Sequence, residues 1–215
     1  MKTHLELVNN ILIRLRERQV STVNETSYST LISVLVNDAK DFVQAAWQWS
    51  ALRETITINT VADTNVYTIT ATDSQSTVLD ITNTTRKERL NYRSHAWFKG
   101  AALNPTPASS PMYYVFNGVD ASGYSQIKLS PTPNAAYAID IDVIKRNGEL
   151  VTDLDTLVVP TLPVQALAYA MALEERGEDG GMSAVSAKAL AANFLSDAIA
   201  LDTQHYPEEL IWEAC

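Results

Sequence analysis

Cysteine is almost absent from this 215-residue chain, and the only one, Cys215, is its last residue. A lone thiol excludes a disulfide scaffold and a cysteine-rich zinc site, and it fits a reducing compartment. Charged residues make up only 19% against 46% hydrophobic, which is too apolar for a disordered chain. No uninterrupted apolar run approaches the roughly 18 residues of a membrane span. The start, Met1 to Glu6, passes straight into an amphipathic pattern instead of a signal-peptide core. The expectation is therefore a soluble protein with no membrane partner.

Catalytic signatures are missing as well. There is no GxSxG, GxxxxGK[ST] or GxGxxG string, so neither a nucleophile elbow nor a phosphate-cradling loop is signalled. The three histidines, His4, His95 and His205, share no ligand spacing and read as independent surface or rim residues, with no metal or cofactor expected. Bases are scarce in one region. Residues 147–215 hold twelve acids against Arg176 and Lys188, so that third carries nearly all of the net charge of −9. Phosphate binding needs clustered Lys and Arg, so this third is no nucleic-acid grip. Its densest acids, Glu174, Glu175, Glu178 and Asp179, sit together at a glycine-rich helix end, where water keeps carboxylates ordinary; a glycosidase pair would face across a sugar.

What is present is a change of period along the chain. Thr3 to Glu6 fits a capping box, and Leu5, Val8, Ile11, Leu12 and Leu15 follow at helical spacing, predicting a helix from about Thr3 to Arg18. A second helix from Ser27 places Leu31, Leu35, Ala39, Phe42, Val43 and Ala46 on one face and ends near Trp47-Gln48-Trp49, two rings read as core or interlayer aromatics. From there the period is 2. Alternating β-branched runs at 55–60, 65–70, 77–81, 112–116, 126–130 and 137–144 predict antiparallel strands, with a further one at 89–92, a short helix at 94–102, a proline-rich loop at 104–111 and a turn around Asn117-Gly118 to Gly123.

Helical spacing returns after Pro160, with Val164, Leu167, Ala168, Met171 and Ala172 as the stripe and Gly177 near the stop. In the last helix, opened by Ser183, the residues Leu190, Leu201, Phe194, Ala187, Ala198, Ala191, Leu195 and Ile199 fall within one half-turn arc. Its alanines allow close helix approach. The predicted fold is α+β: a four-helix bundle formed by N- and C-terminal helix pairs, residues 1–52 and 147–206, with an inserted antiparallel β region, 53–146. Residues 207–215 form a C-terminal extension. Burial of roughly 70% of the extended chain's surface supports one sizeable domain or two small ones. The extension carries an apolar Leu210-Ile211-Trp212 cluster behind Glu208 and Glu209; it either folds back or docks on another subunit.

The ordered set of WxW, YYVFNG at 113–118, KLSPTP at 128–133 and ALEERGEDGG at 172–181 resembles the tail tubular protein A family, the head-to-tail adaptors of short-tailed bacteriophages. The resemblance implies a virion component assembled in the host cytoplasm: a homo-oligomeric ring of twelve, joining the portal protein above to a tail nozzle below. DNA would pass through without specific binding. It also implies that Glu208, Glu209, Leu210, Ile211 and Trp212 reach the portal. Glu174, Glu175, Glu178 and Asp179 are candidates to line the channel, where negative charge keeps DNA from sticking. The alternatives are a carbohydrate-binding or hydrolytic tail protein that uses the β-region aromatics, and a cellular α+β interaction domain.

Overall fold

Helix α1 spans His4–Arg14 because its N-terminus is chemically closed. The Glu6 amide donates to Thr3 Oγ1 at 3.2 Å, and the Thr3 amide donates to a Glu6 carboxylate oxygen at 2.9 Å. The helix stops four residues short of the expected Arg18. Arg16 takes the left-handed conformation, φ 60°, and the Arg16 and Glu17 amides turn back to the Ile13 and Leu12 carbonyls, which is the Schellman way of ending a helix.

The computed structural model describes residues 1–70, 72, 76–104, 106–177 and 182–205. The chain forms two compact units, one from Met1–Leu52 with the residues after Arg146, the other Arg53–Arg146. In the first, α1 is followed by α2 (Ser27–Ala46), α4 (Thr161–Arg176) and α5 (Met182–Asp202). Helix α2 buries Ile32, Val36, Ala39 and Val43, with Lys40. Its core face is therefore rotated by one residue from the Leu31/Leu35 stripe expected from sequence, and Phe42 is exposed. Lys40 is only 1% exposed; its ammonium donates to the Gly148 and Asn147 carbonyls at 2.6 and 3.3 Å and pairs with Asp41 at 3.2 Å. The buried charge is thus satisfied by carbonyls of the returning chain, a solution that hydrophobic periodicity does not reveal. Asn37 adds two hydrogen bonds to the Leu150 backbone.

The helices do not form the expected four-helix bundle of N- and C-terminal pairs. Helix α4 is the central element, packed against α1, α2 and α5, while α5 packs chiefly on α4. The physical reason lies in the two sequences. Helix α4 buries Val164, Gln165, Ala166, Ala168, Ala170 and Ala172, apolar or small on nearly every side, and so accepts neighbours all round. Helix α5 buries only Ala184, Ala191 and Asp202, a seam too narrow to face more than one helix.

The second unit has two four-stranded sheets. One is ordered β1 (Arg53–Asn59), β8 (Ala138–Ile144), β3 (Thr77–Asn83), β4 (Glu88–Arg89). The other is ordered β2 (Val66–Thr68), β7 (Ser125–Ser130), β6 (Tyr113–Val119), β5 (Asn91–Tyr92). The pairings are antiparallel except β5 with β6, which is parallel. Ile81, Ile127, Leu129, Ile139, Ile141 and Val143 are central to the core. Asn117-Gly118 does not begin the hairpin turn. It lies inside β6 at a bulge, where Gly118 takes φ 85°. The turn begins two residues after Gly118, at Asp120, whose carboxylate accepts the Ser122 and Tyr124 amides at 2.8 and 2.9 Å. A short helix α3, His95–Leu103, is capped by Ser94 and buries Phe98.

Candidate functional site

Helix α5 positions the most unusual surface of the first unit. Met182–His205 is long and apolar enough to cross a membrane by length and composition, with mean hydropathy 1.3, and little of it is buried. The stretch is not an uninterrupted apolar run, since Lys188, Asn193 and Asp197 interrupt it; its apolar character is an average over the helix. At 100° per residue the eight arc residues sort into three strips. Ala187, Ala198 and Ala191 lie in the middle, toward α4. Leu190, Phe194 and Leu201 form one flank, and Leu195 and Ile199 the other. A helix on one side covers about a third of the circumference, so a half-turn apolar arc leaves both flanks uncovered. Leu190 and Leu201 are 50% and 64% exposed.

The Leu195/Ile199 flank opens on a groove of about 610 Å³, walled by Phe42 of α2 and by Leu167 and Met171 of α4. Lys188 and Ser196 line its rim. Lys188 is held there by a 2.6 Å ion pair with Glu174. The sequence reading placed Leu167 and Met171 in the α4 stripe but missed the groove. The usable signal was the width of the α5 arc.

The far end of α5 is tied down by polar chemistry. Asp202 accepts hydrogen bonds from the Trp47 indole at 3.0 Å and from the Ser50 amide and hydroxyl at 3.0 and 2.6 Å. Burial alone would raise this carboxyl's pKa, but the Ser50 and Trp47 donors outweigh it and hold it below the usual value. His205 sits 3.5 Å away from the same carboxylate. The WxW string therefore splits its duties: Trp47 anchors α5, while Trp49, 1% exposed, packs inside and donates its indole N–H to the Val43 carbonyl at 2.7 Å.

Of the acidic candidates, Glu174 and Glu175 lie exposed in the last turn of α4, which Gly177 ends at φ 64°. Glu178 and Asp179 fall outside the described residues, as do Glu208, Glu209, Leu210, Ile211 and Trp212. His95 and His205 are exposed, but His4 is not the surface residue expected. It is buried with Nε2 3.0 Å from Ser33 Oγ, and desolvation lowers its pKa. Among the described residues, no cluster of three or more His, Cys, Asp or Glu is placed to hold a metal ion. In the β unit, the Trp97 ring packs edge-on against Phe98 and tilted against Tyr113, with ring centres 5.3 and 4.9 Å apart, and the Arg93 guanidinium lies 5.0 Å from the Tyr113 ring centre.

Helix α5 thus leaves apolar side chains exposed beside a groove, the kind of surface that marks a protein or membrane interaction site. Residues 2–209 match the SU10 adaptor protein family, nearly the whole chain, and the chain belongs to that family of phage head–tail adaptors. It is a phage adaptor protein, a structural component of the virion. No curated protein matches the chain.

Proposed function

We propose that the protein assembles into a ring, twelve copies by resemblance to tail tubular protein A, that joins the portal to the next tail component and continues the DNA channel. The observation that carries this reading is the adaptor-family match across residues 2–209. The exposed apolar helix supports it, because a surface of that kind is stable in water only when partners cover it.

In this reading Glu208 to Trp212 form the portal anchor. An apolar tip ending in Trp is the type of residue that dominates interface energy when it fills a partner's pocket. Deleting residues 207–215 is expected to abolish co-sedimentation with the portal while leaving the far-UV circular dichroism unchanged. Undiminished portal binding by the truncated chain would remove the anchor.

The acids around the end of α4 would face the channel, where they repel phosphate. Glu174 and Glu175 are exposed, and reversing both to Lys is expected to raise retention of duplex DNA at low salt at least severalfold. Because the added attraction is counterion release, it should vanish at high salt. Equal retention by variant and wild type at low salt would move these acids off the channel wall.

A further inference from the structure

We infer that neighbouring copies of this chain associate head to tail through α5, the Leu190/Phe194/Leu201 flank of one copy seating in the Phe42/Leu167/Met171 groove of the next. The inference rests on the ring reading for its closed geometry, and names the surfaces that would build it.

Three observations select a second copy as the occupant. The chain carries both halves of the contact, an apolar ridge and an apolar groove, on opposite flanks of the same helix. Neither half can be covered by the other within one molecule, since the helix body and α4 lie between them. Charge is matched as well. Asp197 lies on the ridge side, exposed and with no hydrogen-bond or ion-pair partner among the described residues, while the groove rim carries Lys188, whose partner within the chain is the exposed Glu174 and which could bridge to Asp197 of the next copy. Two different surfaces on one subunit make a heterologous contact, which leaves a ridge and a groove open at the ends of any chain of copies until rotation closes a ring. A two-fold dimer would instead set ridge on ridge, groove on groove, or each ridge in the other copy's groove, and would stop at two copies.

The test uses the full-length chain with Cys215→Ser, so that every thiol is an introduced one. Leu201→Cys reports the ridge and Ser196→Cys the groove rim. In concentrated protein treated with a short bismaleimide, the double-cysteine variant is expected to give a ladder of dimers, trimers and larger species, and each single-cysteine variant to stay monomeric. A dimer from Leu201→Cys alone would show a two-fold contact and overturn the inference. Absence of a ladder would overturn it too.

A second measurement guards against an accidental cross-link. Leu190→Glu and Phe42→Glu damage the ridge and the groove separately at exposed positions. Each alone should lose the ladder, and an equimolar mixture should stop at dimers, because only one intact ridge can meet one intact groove. Ladders unaffected by either change would sink the proposal. Two other occupants are visible in the same experiments. In a companion Ser196→Cys variant that keeps the native Cys215, an internal disulfide between the two would assign the groove to the chain's own tail. Flotation of wild type with phosphatidylcholine–phosphatidylglycerol vesicles would assign the helix to a membrane. Either result overturns the inference. Portal binding without a ladder would overturn this interface and leave the proposed function standing, whereas a ladder from a protein absent from purified virions would do the reverse.

Discussion

Trp49→Ala is expected to destabilise the helical unit by about 3–5 kcal/mol, the cost of removing a fully enclosed large aromatic. Trp49 is the largest of the fully buried side chains. Its loss empties a cavity just after α2 and also strips the Val43 carbonyl, in the last turn of that helix, of its indole donor. Carbonyls at a helix end have no partner within the helix, so side chains often supply one. Urea unfolding followed by far-UV circular dichroism should show the midpoint falling sharply. Trp47→Phe is the control. It keeps an aromatic ring at a half-buried position and removes one donor to Asp202, for a loss of about 1–2 kcal/mol. Equal effects of the two changes would contradict the division of labour between the rings.

Asp202→Ala should cost about 2–3 kcal/mol, since it removes a charged acceptor and leaves the Trp47 and Ser50 donors without it. The pH dependence gives a sharper readout. Hydrogen bonds hold the folded Asp202 pKa below its unfolded value, so the folded state binds fewer protons than the unfolded state as acid is added. The stabilisation is fully present above the unfolded carboxyl value of about 3.9 and is lost as pH falls through the lower folded value. Wild type should therefore exceed Asp202→Asn in stability by a constant amount near neutrality, and the gap should close progressively as pH falls below about 4. Comparing the pair matters because Asp142, held low by Thr55 and Arg53, and Asp155, held low by Thr152, respond in the same direction. A gap that stays constant across the acid range would mean that the Asp202 carboxylate is not the group being stabilised.

The elements were largely legible because their signals are local. The Thr3–Glu6 capping box needs only four residues and appears as read. The alternation at 137–144 maps onto β8, where Ile139, Ile141 and Val143 point into the core and Asp140 and Asp142 bond Thr57 and Thr55 of the neighbouring strand. Errors arose where a local signal had a distant competitor. Asn117-Gly118 is a strong turn signal, yet the pairing of β6 with β7 extends through it and absorbs the extra residue as a bulge. The α2 face was misread by one residue because Lys40 looks polar. Only the carbonyls of Asn147 and Gly148, more than a hundred positions away, make its burial tolerable.

The site divides in the same way. The width of the α5 arc is in the sequence, and so are the glycines at the end of α4 and the acids beside them. Which part of that arc is covered is not, because coverage depends on how many neighbours a helix acquires in the folded unit. The amino-acid order by itself determined an α+β protein with helical ends, a β-rich middle and an acidic last third, since period, capping and charge act over a few residues. Only the tertiary structure decided that α4 and not a symmetric bundle axis is the centre, and that α5 rests on it by a strip of alanine. Packing is a choice among distant partners, and it is settled by the sum of all contacts rather than by any one segment's pattern.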